Sequence, residues 1–160
     1  MLTAEELREL LAYDLATGVF TWRRDVHHVK TGQKAGGKNL EGYWVITVNR
    51  RGYRAHRLAW LHVYGVWPRA EIDHINSVRD DNRIANLREA TRAENNRNRK
   101  KQHNGRCSLK GIYLAKGRFR AQIRAHGKTT HIGYYDTEEE AHAAYVAAAE
   151  KEFGAFARAE

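Results

Sequence analysis

The chain has little cysteine, no long apolar run and, across one long stretch, almost no acid; each shortage excludes something. With Cys107 as the one cysteine, neither an intramolecular disulfide nor a four-cysteine zinc ribbon can form. A reducing compartment suits such a chain. No apolar run approaches the ~20 residues of a membrane span. The opening MLTAEELRELL lacks the basic end, apolar core and small-residue cleavage site of a signal peptide. A cytoplasmic protein with no membrane partner is therefore expected. There is also no internal repeat, no glycine loop of the kind that cradles phosphate, and no Ser-His-Asp set.

What is present is positive charge. Among 160 residues, 28 Lys/Arg against 19 Asp/Glu give a net charge of +9. That favours a polyanionic partner, most often nucleic acid, with an acidic membrane surface the weaker alternative. The charge is uneven. Residues 91 to 128 hold twelve Lys/Arg and one acid, Glu94, whereas residues 129 to 160 hold two Lys/Arg and seven Asp/Glu. This reversal predicts a basic binding strip backed by an acidic helix. The length allows one compact domain or two small ones.

The densest chemistry lies in EIDHINSVRDDNRIANLREATRAENNRN, residues 71 to 98. Ile72 and Ile75 flank the Asp73-His74 pair and predict a short strand with one buried side. Ser77 to Arg83 reads as a loop, because Asp and Asn close turns through their own side chains. Ile84 and Leu87 predict a second short strand around Asn86. Thr91, with Glu94 three residues on, predicts a capped helix carrying Asn95. Hydrolysis of a phosphodiester needs a base for water, charge neutralisation at the phosphate, and positioning. A neutral imidazole, His74, suits the first. A hard divalent cation on a carboxylate and an amide carbonyl, Asp73 and Asn95, suits the second. Asn86 can hydrogen-bond the histidine and fix its orientation.

These residues, in the pattern DHIN…DNRIANL…T…ENN, resemble the HNH nuclease motif of phage and intron homing endonucleases. The resemblance implies a ββα-metal site with one divalent ion, Mg²⁺ or Mn²⁺, on Asp73 and Asn95. It implies His74 as general base and Asn86 as the residue that orients it. The last position is Asn rather than His, as in the homing branch. A similar His-Arg-Leu-Ala helix precedes the Asp-His strand in related nucleases, so the resemblance spans roughly residues 10 to 100.

Before that stretch, residues 3 to 12 predict a helix capped by Thr3 and Glu6, with Leu7, Leu10 and Leu11 inward. Val19 to Trp22 predicts a strand, and residues 24 to 41 a loop in which His27 and His28 are exposed. Tyr43 to Val48 and Tyr53 to His56 predict a hairpin around Asn49-Arg50-Arg51-Gly52, forming one small antiparallel sheet with Val19 to Trp22. Arg50, Arg51 and Arg54 either touch phosphates or simply make an exposed hairpin soluble. Residues 56 to 65 predict a helix with Leu58, Leu61 and Val63 or Tyr64 inward, stopped by Gly65 and Pro68. Arg57 either clamps a phosphate or packs beside Trp60. Beyond the nuclease motif, Arg97, Arg99, Lys100 and Lys101 form a basic ridge that can track a DNA backbone.

From Lys110 the pattern is three strands and a helix: residues 111 to 115, 118 to 125 and 128 to 135, then an alanine-rich helix from Asp136 to about Lys151. Strict alternation sets Phe119, Ala121 and Ile123 on one face and Arg120, Gln122 and Arg124 on the other. KGIY, RFRAQIR, GKTTHIGYYDTEEEAHAAY and FGAFA resemble the ethylene-response-factor type of DNA-binding domain. That resemblance implies a sheet in the major groove, with Arg118, Arg120, Gln122, Arg124, Thr129 and His131 facing DNA. Tyr113, Phe119 and His131 stand where plant members carry other residues, so the plant target sequence does not transfer.

The predicted fold class is α+β: a ββα-metal HNH nuclease domain over residues 1 to 100, a basic linker over 101 to 109, and a small three-stranded antiparallel sheet packed on one helix over 110 to 157. The expected activity is sequence-directed, metal-dependent nicking of double-stranded DNA by a phage or prophage protein acting as a monomer or dimer. Two alternatives stand beside it: a DNA-binding regulator with a silent HNH fold, and a non-specific nuclease.

Overall fold

The computed structural model describes residues 1 to 26, 29 to 97, 107 and 109 to 157. The expectations for His27, His28, Arg99, Lys100, Lys101 and most of the linker lie outside the described residues. The chain divides into two compact units, Met1–Arg92 and Ala93–Glu160.

In the first unit, Thr3 caps helix α1 (Ala4–Leu10): its hydroxyl accepts from the Glu6 amide while the Glu6 carboxylate accepts from the Thr3 amide. The helix ends earlier than the leucine spacing predicts. Leu11 is extended and begins β1 (Leu11–Tyr13), which pairs antiparallel with β2 (Phe20–Trp22). Fully buried Leu11 satisfies its apolar side chain equally well from a strand. Residues 20 to 22 therefore pair with β1 and do not extend the following hairpin, correcting the single sheet that was expected. The segment read as a loop contributes β3 (Gly37–Lys38), which pairs with β4 (Trp44–Val48). β4 turns into β5 (Arg51–Arg54) through Asn49 and Arg50, at φ 50° and 62°. Positive φ at both central residues is the two-residue hairpin geometry that matches strand twist.

Helix α2 (Ala55–Tyr64) follows directly and stops at Gly65 in the left-handed region, φ 76°. Its Ala55, His56, Leu58, Ala59 and Leu61 face inward, while Tyr64 is exposed. These side chains join Leu7, Leu11, Phe20, Ile46, Val48, Ile72 and Leu87 in one core. Each large aliphatic or aromatic group buried there stabilises the unit by roughly 1.5–3 kcal/mol. The last hairpin is β6 (Glu71–His74) and β7 (Leu87–Ala90). Ile84–Asn86 is a 3₁₀ turn where a strand was expected, and Ile75 is exposed, so only Ile72 anchors β6 in the core. α3 (Arg92–Arg97) follows, and from Ala93 onward the chain belongs to the second unit.

The second unit holds β8 (Ile112–Ala115), β9 (Arg118–Ala125) and β10 (Lys128–Tyr135) in the order β10-β9-β8, all antiparallel. A bulge lies between His131 and Gly133. α4 (Glu138–Phe153) is capped by Thr137, whose hydroxyl accepts from the Glu140 amide. Ala141, Tyr145 and Ala149 pack with Ile112, Ala121, Ile123 and Cys107 into a second core. Gly111, at φ 79°, lies under the Tyr145 ring, where any Cβ would collide. The molecule is thus α+β with small antiparallel sheets. Among the described residues, no helix is long and apolar enough to cross a membrane.

Candidate active site

Asp73 and His74 end β6, where the ladder sets Asp73 opposite Arg88 and His74 opposite Leu87. Successive strand residues point to opposite faces. The carboxylate and the imidazole therefore leave the ribbon on different sides, and both are buried.

On one side, Arg88 Nε donates to Asp73 Oδ2 at 2.9 Å, and Arg88 Nη2 lies 2.8 Å from the same oxygen. The pair is well shielded: the side chains are 16 % and 5 % exposed. On the other side, the His74 ring meets His56 edge-to-face, with centroids 4.9 Å apart and planes at 89°, and lies 6.2 Å from Tyr43.

His74 Nε2 lies 3.3 Å from Asn82 Oδ1. The Asn82 amide is oriented by its other end, since Nδ2 donates to the Asp80 carbonyl at 3.2 Å. A ring protonated on Nε2 would donate to that oxygen and carry its basic lone pair on Nδ1. Burial holds the His74 imidazole below its ordinary pKa, against the upward pull of Asn82, Asp73, Asp81 and Asp80. A neutral ring at pH 7 is what a general base requires. Burial also pushes His56 down to about 3, helped by His74, Arg54 and Arg57.

The loop from Ile75 to Arg83 is tied from within. Asn86 Oδ1 accepts from the Asn76 amide at 3.0 Å, while its Nδ2 donates to Asn76 Oδ1 and to the Asp81 carbonyl, each at 2.9 Å. Asn76 Nδ2 donates to Asp81 Oδ2 at 2.7 Å, and Arg83 closes on the same carboxylate. Those bonds, Arg83 first, hold the Asp81 carboxyl down to about 2. Tyr13 pins the far side, donating to the Asn82 carbonyl at 2.7 Å. Burial raises that phenol to about 12, so it remains a donor.

The expected contact from Asn86 to His74 is therefore made by Asn82. Asn86 spends its amide on the loop that presents Asn82, because both Nδ2 hydrogens go to Asn76 Oδ1 and the Asp81 carbonyl while Oδ1 accepts from the Asn76 amide. Nothing in DDNR singled out the Asn within it, since all its polar residues read as turn formers. Arg88 carried no motif signal either. Tyr43 lies over this side of the site with Arg54 Cζ 4.3 Å and Arg79 Cζ 5.1 Å from its ring centroid.

Asp73, His74 and Asn86 share one hairpin. Asn95 is half-buried on α3 in the second unit, and its pairing with Asp73 stays an expectation. Among the described residues, no group of three His, Cys, Asp or Glu side chains stands ready for an ion. A buried carboxylate joined by amide and water oxygens is nevertheless the donor chemistry that a hard divalent ion takes, and Asp73 fits as one such ligand. Arg57 has its Cζ 5.9 Å from the Trp67 ring, and Trp60 pairs with Tyr64. Arg97 belongs to α3.

In the second unit, cross-strand pairing sets Arg120 between Tyr113 and Tyr134, Gln122 opposite His131, and Arg124 opposite Thr129. Directly opposed residues share a face. These seven, with Arg118 by alternation, lie on the face opposite the one that sets Ala121 and Ile123 against α4, and Tyr113 and Tyr134 add exposed aromatic area that the sequence reading passed over. Arg118 Nε is engaged by Asp136 Oδ1 at 2.9 Å.

No curated protein sequence matches the chain. Residues 53–97, which carry α2, the Asp73-His74 strand, the Asn86 loop and α3, match the family model described as HNH endonuclease, and that match supports an HNH nuclease acting on DNA.

Proposed function

We propose that the protein is a sequence-directed, divalent-metal-dependent DNA endonuclease of homing type that nicks one strand per visit. The observation that carries this is the setting of His74: buried, held below its ordinary pKa by that burial, and with Nε2 3.3 Å from the Oδ1 of an Asn82 amide anchored at its other end. His74 Nδ1 takes a proton from water as that water attacks phosphorus in line. Asp73 and Asn95 would hold the ion. When bound, a Mg²⁺ or Mn²⁺ ion neutralises charge on the scissile phosphate and on the leaving 3′ oxygen. Asn86 keeps the loop closed so that Asn82 remains against the imidazole.

In this proposal the second unit is an ethylene-response-factor-like domain that reads the major groove with Arg118, Arg120, Gln122, Arg124, Thr129 and His131. Support comes from their shared face and from the acidic α4 on the opposite side. Arg57, Arg97, Arg99, Lys100 and Lys101 would contact phosphates. Residues 1 to 100 form the nuclease domain, 101 to 109 the linker and 110 to 157 the reader. One active site per chain makes the monomer a nicking enzyme. A phage or prophage setting in a bacterial cytoplasm follows from the same resemblance.

The test is conversion of supercoiled plasmid carrying phage or host DNA, with Mg²⁺, Mn²⁺ or EDTA. Metal-dependent open circle that is lost in His74→Ala is expected. Direct linear product would indicate a dimer. Tight, salt-sensitive binding without cleavage in any metal would replace this reading with a regulator.

A further inference from the structure

Asp73 is a carboxylate withdrawn from water, and Arg88 is the cation that now answers it. The two are directly opposed across the β6–β7 ladder, so backbone register holds them together. Two guanidinium nitrogens, Nε at 2.9 Å and Nη2 at 2.8 Å, converge on one oxygen, Oδ2. Both side chains are shielded, at 16 % and 5 % exposure. A buried carboxylate without such a partner would oppose folding of the hairpin. Arginine also cannot shed its charge at any working pH.

We propose that Arg88 is a positioning residue that serves as the resident counter-ion of Asp73 and competes with the divalent ion for that carboxylate, so that its charge sets the affinity of the site for metal. The proposal rests on the reading of Asp73 as a metal ligand. An ion approaching Asp73 meets a fixed positive charge within bonding distance of the same oxygen, in surroundings where water screens poorly. The guanidinium therefore does two opposed things. It keeps the site assembled before the ion arrives, and it weakens the ion's hold once there. A neutral residue at 88 would reverse both effects. A lysine would keep the competing charge while losing the two-nitrogen grip.

The experiment is Mn²⁺ binding to the full chain without DNA, read from the free-ion electron paramagnetic resonance signal, together with thermal unfolding in EDTA and in Mn²⁺. The proteins compared are wild type, Arg88→Gln, Arg88→Lys and Asp73→Asn. Arg88→Gln is expected to bind Mn²⁺ roughly tenfold more tightly than wild type. Its melting temperature in EDTA should fall, and the rise on adding Mn²⁺ should exceed that of wild type. Arg88→Lys should bind no more tightly than wild type. Should Arg88→Gln be unfolded in EDTA, refolding by Mn²⁺ supports the proposal and failure to refold overturns it. Equal or weaker binding by Arg88→Gln, or equal tightening by Arg88→Lys, overturns the counter-ion role while leaving the nuclease reading intact. Wild-type Mn²⁺ binding that survives Asp73→Asn defeats the reading of Asp73 as ligand, and this proposal with it.

Discussion

His56 meets His74 edge-to-face, ring centroids 4.9 Å apart, yet the two histidines are held in different electrostatic conditions. His74 has Asn82, Asp73, Asp81 and Asp80 to raise its pKa against burial, whereas at His56 burial and the neighbouring His74, Arg54 and Arg57 all push the same way, down. His56 Nδ1 is buried and has no hydrogen-bond partner among the described residues. The ring is therefore built to be neutral. Its folded pKa of about 3 lies below the ordinary 6.5. The unfolded chain then binds a proton that the folded chain refuses. The associated stability is fully present above pH 6.5 and is lost as pH falls from there towards 3. The slope approaches about 1.4 kcal/mol per pH unit. Urea unfolding of wild type and His56→Phe at pH 7, 6, 5 and 4 should show the gap between them closing on the acid side. Parallel curves would remove His56 as the cause.

Asn82 and Asn86 separate orientation from scaffolding. Asn82→Ala removes the oxygen that faces His74 Nε2. Nicking is expected to fall roughly 10–100-fold, the usual cost of losing a residue that orients a catalytic group. Melting temperature should change less than for Asn86→Ala. The latter cuts three part-buried hydrogen bonds within one loop. It is expected to cost about 1–3 kcal/mol by urea unfolding, since the abandoned Asn76 and Asp81 groups must find other partners. Equal stability loss in the two variants would contradict this division.

Local rules explain what could be read from the chain beforehand. The Thr3–Glu6 cap, the stop at Gly65 and the alternation of β9 all depend on residues within a few positions of one another, and each is found; the turn expected over residues 49 to 52 is tighter, at Asn49-Arg50, with Arg51 already in β5. What escaped depends on partners far away in sequence. Leu11 fits a helical stripe and a strand equally well, and pairing with Trp22 decides. Tyr13 reaches Asn82 across 69 residues, and Arg88 finds Asp73 only once the β6–β7 register is set. Asp73-His74 was legible as chemistry because carboxylate and imidazole are adjacent. The amide beside His74 was not, because several Asn residues occupy the same loop and only three-dimensional closure picks one.

Gly18 shows how the first turn supports the site. It sits at φ +72°, and a Cβ there would strike the backbone of Arg83 and Asn82. Those are the residues that carry the amide against His74, so the turn and the loop approach backbone to backbone. Gly18→Ala is expected to destabilise by roughly 1–3 kcal/mol through strain at positive φ, and by more through the collision. Nicking measured well below the melting temperature should drop as well, because the displaced loop carries Asn82. Gly32→Ala, also at positive φ but with open space around it, should cost stability without the added loss of nicking.

On the proposed reading of DNA by the exposed face of the β8–β10 sheet, contacts that position can be told from contacts that read. Arg120 sits in the central strand between Tyr113 and Tyr134, its Cζ 5.8 Å from the Tyr113 ring centroid, so two aromatic neighbours restrict it. A restricted guanidinium on a groove-facing sheet suits two-pronged recognition of a base edge. Arg124, exposed opposite Thr129 towards the end of the strand, is freer and suits a phosphate. Arg120→Ala should cost about 1–3 kcal/mol on the preferred site and little on random DNA, relaxing specificity. Arg124→Ala should weaken both alike and lower the slope of log affinity against log salt by about 1. Fluorescence anisotropy over a salt series on both DNAs separates the two effects. If both variants weaken both DNAs equally, the face binds backbone alone and specificity must come from elsewhere in the chain.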